Sequence, residues 1–152
     1  MNRVRDAIMD EDKPESVMTG IELSNEGEAA IVFIKGLAPR EVSTVPFEKG
    51  TLGDGKPLEV GDATLVTTGS GSAHQLVLTQ GARTQVLYQD ADGDTDGWQL
   101  RWAGDLDGDG KLDLILAADH HYNLTTTRLF LSTQAKKGEL VHEVAKFSTS
   151  GC

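Results

Sequence analysis

Past residue 15, the hydrophobic positions of this chain do not recur at a helical interval. Short apolar runs alternate with polar residues and end at Gly, Pro, Asn or Asp. That is the pattern of half-buried strands joined by tight turns. It predicts strands at 20–24, 29–35, 63–68, 74–80, 84–89, 98–103, 112–119, 126–133 and 140–147. Segment 39–61, with Pro46, Pro57 and several glycines, reads as loop with room for one short edge strand. Residues 1–14 are polar and carry Asp10, Glu11 and Asp12, so they are set apart as a tail or a short helix, leaving 15–152 as one β-domain. The fold class expected is all-β, an antiparallel β-sandwich or small barrel.

Two strands carry more detail. In Trp98-Gln99-Leu100-Arg101-Trp102 the alternation is strict, which puts both tryptophans and Leu100 on one face. A core-facing aromatic stripe is the expectation there, with a ligand-stacking platform as the rarer use. Residues 112–119 instead have Leu112, Leu114 and Leu116 on one face and Ile115 and Ala117 on the other. A strand that is apolar on both faces belongs in the middle of a sheet.

Charge changes the picture. The 152 residues carry a formal net charge of −10, which argues against nucleic acid or an anionic membrane surface as partner. No apolar run is long enough to span a bilayer. The opening MNRVRDAIMDEDKP has no apolar centre, so it does not read as a signal peptide. Cys152 is the single cysteine, so no disulfide can form within the chain. Residues 90–113 hold eight aspartates against Arg101 and Lys111 alone. A solvated face needs no such spacing.

Within that stretch, GDLDGDGKLDLIL places Asp105, Asp107 and Asp109 at alternating positions, then Gly110, then Asp113. Calcium takes six to eight oxygen ligands, and a short loop supplies them from alternating positions that curl inward. Counting Asp105 as position 1, Gly110 stands at position 6, where the turn asks for positive φ. Lys111 at position 7 can offer its carbonyl, and Asp113 at position 9 both of its carboxylate oxygens. Magnesium, which keeps its waters, suits such a cage less well.

An EF-hand is excluded, because position 12 is Leu116 and the flanks read as strands. The loop instead resembles the FG-GAP/VCBS repeat, the calcium-loop unit of integrin alpha-subunit propellers and of many bacterial exported proteins. Its core, D-x-D-x-D-G-x-x-D-L, is matched at every position. The resemblance implies Asp105, Asp107, Asp109, Lys111 through its carbonyl, and Asp113 as calcium ligands. It covers roughly 20 residues, with no Phe-Gly pair upstream and no second full copy. Nine strands are too few for four blades of four, so a complete propeller is not expected. Such loops suit calcium-rich exteriors, which implies a periplasmic or secreted bacterial protein.

Upstream, DADGDTDGW has Asp90, Asp92 and Asp94 in register but Trp98 where a closing ligand belongs, so it reads as an acidic turn. Asp119-His120-His121 resembles a signature of the DHH phosphoesterases, with upstream aspartates as further metal ligands. That resemblance implies an α/β protein with long helices, which the pattern here does not offer. His120 and His121, as neighbours in a strand, also point to opposite faces. The milder alternative is that Asp119, His121, Tyr122 and Asn123 line a small binding surface beside the calcium loop, against the commoner case of a polar turn with Asn123 as turn former. Asn123-Leu124-Thr125 fits a glycosylation acceptor, a tripeptide common by chance. No Ser-His-Asp order or phosphate loop is found. The expectation is a non-enzymatic calcium-binding β-domain whose exposed loops are offered to a protein or a glycan, with a metal-dependent hydrolase as runner-up.

Overall fold

In the computed structural model the described residues are 2–4, 14, 16, 20–22, 42–49, 51–52, 55–70, 73–90, 95–120 and 124–150. The strand expected at 29–35 lies outside them. The chain divides into two compact units, Met1–Ala38 and Pro39–Cys152, where the sequence pattern sets its boundary after residue 14. In the first unit, β1 (Asn2–Val4) pairs antiparallel with β2 (Gly20–Glu22). Asn2–Val4 is therefore an extended strand, rather than a tail or a helix.

The second unit is all-β and antiparallel, with no helix among the described residues. Its strands are β3 (Ser43–Thr44), β4 (Thr51–Leu52), β5 (Leu58–Val60), β6 (Ala63–Ser70), β7 (Ala73–Gln80), β8 (Arg83–Asp90), β9 (Thr95–Asp105), β10 (Asp113–His120), β11 (Leu124–Leu131) and β12 (His142–Ser150). One sheet is the meander β5-β6-β7-β8. The other is β12-β11-β10-β9, with β3 and β4 both paired along the outer edge of β9. The architecture is a β-sandwich and neither a closed barrel nor a propeller. Among its described residues, segment 39–61 thus contributes three short strands where one was expected.

Alternation explains the core. Val60, Ala63, Leu65, Leu76 and Leu78 face inward from one sheet, and Trp98, Leu100, Ala103, Leu114, Leu116, Ala118 and Phe130 from the other. β10 does lie in the middle of its sheet, and Ile115 and Ala117 on its second face are buried as well.

The two tryptophans do not share a face. Leu116 pairs with Leu100 but Ile115 pairs with Trp102, so Arg101 is an extra residue in β9. Such a bulge reverses the alternation beyond it. Trp98 and Leu100 therefore point into the core, Trp102 points away from it, and Ala103 takes the inward place. Trp98 is a core residue that also meets the Tyr88 ring, with centroids 5.0 Å apart and planes tilted by 59°. The Arg128 guanidinium lies 4.6 Å over the far partner of that pair, Tyr88, and binds Glu143 at 2.9 Å. These contacts tie β8 of one sheet to β9, β11 and β12 of the other.

One glycine fixes the edge beside the aspartate loop. A Cβ on Gly104 would stand 1.9 Å from the carbonyl oxygen of Ser43. Only a residue without a side chain lets β3 pair there. Gly104→Ala is expected to lower stability by about 2 kcal/mol, the scale of forced overpacking, as read from urea unfolding. A loss under about 0.5 kcal/mol would mean that β3 is free to shift.

Candidate metal centre

The loop between β9 and β10 is folded by its own carboxylates. Asp105, the last residue of β9, accepts hydrogen bonds from Gly108 N and Asp109 N on Oδ1 and from Gly110 N on Oδ2. A short polar side chain that binds amides a few residues ahead closes a turn. Gly110 has φ of +77°, the positive value expected at position 6.

Asp113, the first residue of β10, is fully buried. Its Oδ2 accepts Leu106 N at 2.8 Å, and its Oδ1 accepts Ser132 N at 2.8 Å and Ser132 Oγ at 2.9 Å. Burial pushes its carboxyl above the ordinary value, and the nearby Asp107 charge adds to that, while the Ser132 and Leu106 bonds pull the other way without prevailing. Ionised Asp113 thus opposes the fold. The stability it lends is present at low pH and lost as pH rises through its raised pKa. Asp109 behaves oppositely. Its partial burial raises the pKa, but bonds from Lys111 and Ser132 outweigh that, so the net shift is downward. Its contribution is present at neutral pH and lost as pH falls through the lowered pKa.

Asp105, Asp107 and Asp109 come together, each offering a carboxylate oxygen, with those oxygens all within 4.8 Å of one another. Ligands held by one calcium at 2.3–2.6 Å cannot stand more than about 5 Å apart. The three therefore fit around a single ion. A further sign is Asp107 Oδ1, which is buried and has no hydrogen-bond partner. A buried acceptor left so is costly unless something satisfies it, and a cation does. The donors are all hard carboxylate oxygens, the set suited to calcium, magnesium or manganese.

The group of three does not include Asp113, which lies buried at the head of β10. Lys111 sits at the exposed rim, and its ammonium turns back to within 3.0 Å of Asp109 Oδ2. With the lysine side chain 68% exposed, that ion pair contributes little to stability.

Two residues were not foreseen. Ser132 Oγ stands 3.0 Å from Asp109 Oδ1 as well as 2.9 Å from Asp113, and Thr133 Oγ1 donates to Asp107 Oδ2. Both directly follow β11. Their signal in the sequence is faint, a Ser-Thr pair at the end of an apolar strand. It becomes legible once Leu114 is paired with Phe130, because that register puts Leu131 opposite Asp113 and Ser132 one residue beyond, within reach of its carboxylate.

The residues of the hydrolase reading fall elsewhere. Asp119 and His120 end β10, about 20 Å along the strand from the aspartate loop. They stand opposite Gly97 and Thr95 at the far end of the sheet, not beside the loop as expected. His121, Tyr122, Asn123, Asp92 and Asp94 lie outside the described residues, and so does the asparagine of the glycosylation tripeptide. Comparisons of the chain with protein-family models, with curated proteins and with solved structures give no match.

Proposed function

We propose that this chain is a non-enzymatic calcium-binding β-domain in which the ion holds the β9–β10 hairpin in register. The single observation that carries the reading is the triad Asp105, Asp107 and Asp109, with oxygens close enough for one ion. The buried, unpartnered Asp107 Oδ1 supports it. Calcium is preferred over magnesium because it accepts carboxylate oxygens in irregular geometry, whereas magnesium demands a near-ideal octahedron and sheds its waters reluctantly. The strand–loop–strand setting agrees with the FG-GAP/VCBS resemblance of the loop. A structural role rather than a catalytic one follows from how the carboxylates are used. Asp105 folds the loop, and the buried Asp113 fastens it to the strand beyond. In this reading the protein works where calcium is plentiful, in the periplasm or outside the cell, and its exposed loops meet a protein or a glycan.

Thermal melts test the metal. At free calcium 100 times the dissociation constant, binding adds about 2.7 kcal/mol. For a chain of this length that is a rise in Tm of about 5–10 °C over EDTA. Magnesium at the same concentration should give a smaller rise, and Asp107→Ala should remove the calcium response. Identical melts in EDTA, calcium and magnesium would reject the proposal.

A further inference from the structure

The connection from Ser132 to Val141 touches the aspartate loop at one end and the opposite sheet at the other. At its start, Ser132 and Thr133 bond Asp109, Asp113 and Asp107. At its end, Leu140 N and Val141 N both donate to Gln85 Oε1, at 2.6 and 3.1 Å, and Gln85 Nε2 donates to Val141 O at 2.8 Å. Arg83 also donates to Glu139 O. Between the two ends the segment is bonded to itself. Ala135 N donates to Ser132 O, Glu139 N to Lys136 O, and Lys136 N to the Glu139 carboxylate, which His142 Nδ1 also meets at 2.9 Å. Leu140 and Val141 are buried in the core.

A ten-residue connection held this way has little freedom to adjust one end without the other. We infer that Gln85, from the sheet that does not carry the loop, is a positioning residue for the metal centre and acts through the Ser132–Val141 connection. The inference rests on the metal reading above. Its physical content is that Gln85 fixes where the Ser132 and Thr133 hydroxyls stand, and these fix Asp107 and Asp109. By linkage, whatever binding the ion does to order the connection, ordering the connection does to the ion's affinity.

The test is calorimetric titration of the full chain with calcium alone. Gln85→Ala should raise Kd about five- to tenfold, at the low end of measured couplings between distant sites, and Thr133→Val should weaken binding similarly. The two changes break one path, so their effects should not add. In the Thr133→Val background, where the Ser132 bond to Asp109 remains, Gln85→Ala should alter Kd by less than it does in the wild type. Leu58→Ala weakens the same sheet outside this chain of bonds and should leave Kd unchanged, which separates positioning from general loss of stability. Should Gln85→Ala fail to fold, Gln85→Glu keeps the acceptor for both amides, turns a donor into a repulsion at Val141 O, and should give an intermediate Kd. A wild-type chain that binds calcium with the same Kd as Gln85→Ala, or effects of Gln85→Ala and Thr133→Val that multiply, would overturn the inference while leaving the metal reading standing. A wild-type chain that does not bind calcium would overturn both.

Discussion

Asp113→Ala is expected to lower the stability of the domain by about 3–5 kcal/mol in EDTA as much as in calcium. The residue is fully buried, and three donors converge on it within 2.9 Å: Leu106 N, Ser132 N and Ser132 Oγ. Truncation strands those donors, and each buried group left unsatisfied costs about 1–3 kcal/mol. The sum is reduced because burying the carboxylate is itself unfavourable, as its raised pKa shows. Asp113→Asn keeps the size and one acceptor, so it should lose less, about 2 kcal/mol. Urea unfolding with and without EDTA measures both. A loss that appears only in calcium would make Asp113 a ligand, the role that the loop's resemblance to the repeat implies. A loss independent of metal makes it the anchor that fastens the loop to β11.

Trp98→Ala should lose about 3–5 kcal/mol, the usual range for a large buried aromatic, whereas Trp102→Ala should lose about 1–2. The contrast follows from one extra residue. Trp98 is 2% exposed, belongs to the same core cluster as Leu100, Leu116 and Phe130, and meets the Tyr88 ring at a tilt. Trp102, carried to the other face by the bulge at Arg101, stands opposite Ile115. Equal losses in the two variants, measured by urea unfolding, would restore the uninterrupted alternation and remove the bulge.

That bulge marks the limit of what the pattern of residues could show. Trp98-Gln99-Leu100-Arg101-Trp102 reads the same with an uninterrupted strand or a bulged one, because a bulge is set by pairing with β10 and leaves no mark in the alternation itself. The strands whose turns are marked by glycine pairs or polar clusters were legible. β6, β7 and β8 begin and end within about two residues of expectation. β11 and β12 lie two to three residues from expectation at both ends, and one end of each has a chemical reason. Ser132 and Thr133 look like strand residues but leave the ladder to bond carboxylates, and Leu140 and Val141 are apolar but give their amides to Gln85. Local composition does not report such long-range bonds.

The aspartate loop was legible for the opposite reason. Its carboxylate pattern is local, so spacing alone brings Asp105, Asp107 and Asp109 together, and the positive φ of Gly110 follows from position. The fourth aspartate was read by the same count, and here tertiary context intervenes. Asp113 heads a central strand, where it is buried and accepts Ser132 N on one oxygen and Leu106 N on the other. The Asp-His-His segment was placed beside the loop because it is near in sequence. A strand of eight residues carries Asp119 and His120 to the far end of the sheet instead.

The central claim is that one calcium ion is held by three aspartates of a single loop, and calorimetric titration with calcium tests it most directly. The account predicts one ion bound per chain, a Kd unchanged by tenfold excess magnesium within about a factor of two, and no binding heat in Asp105→Ala or Asp107→Ala. An absence of binding in the wild type, or the same isotherm in both variants, would contradict it.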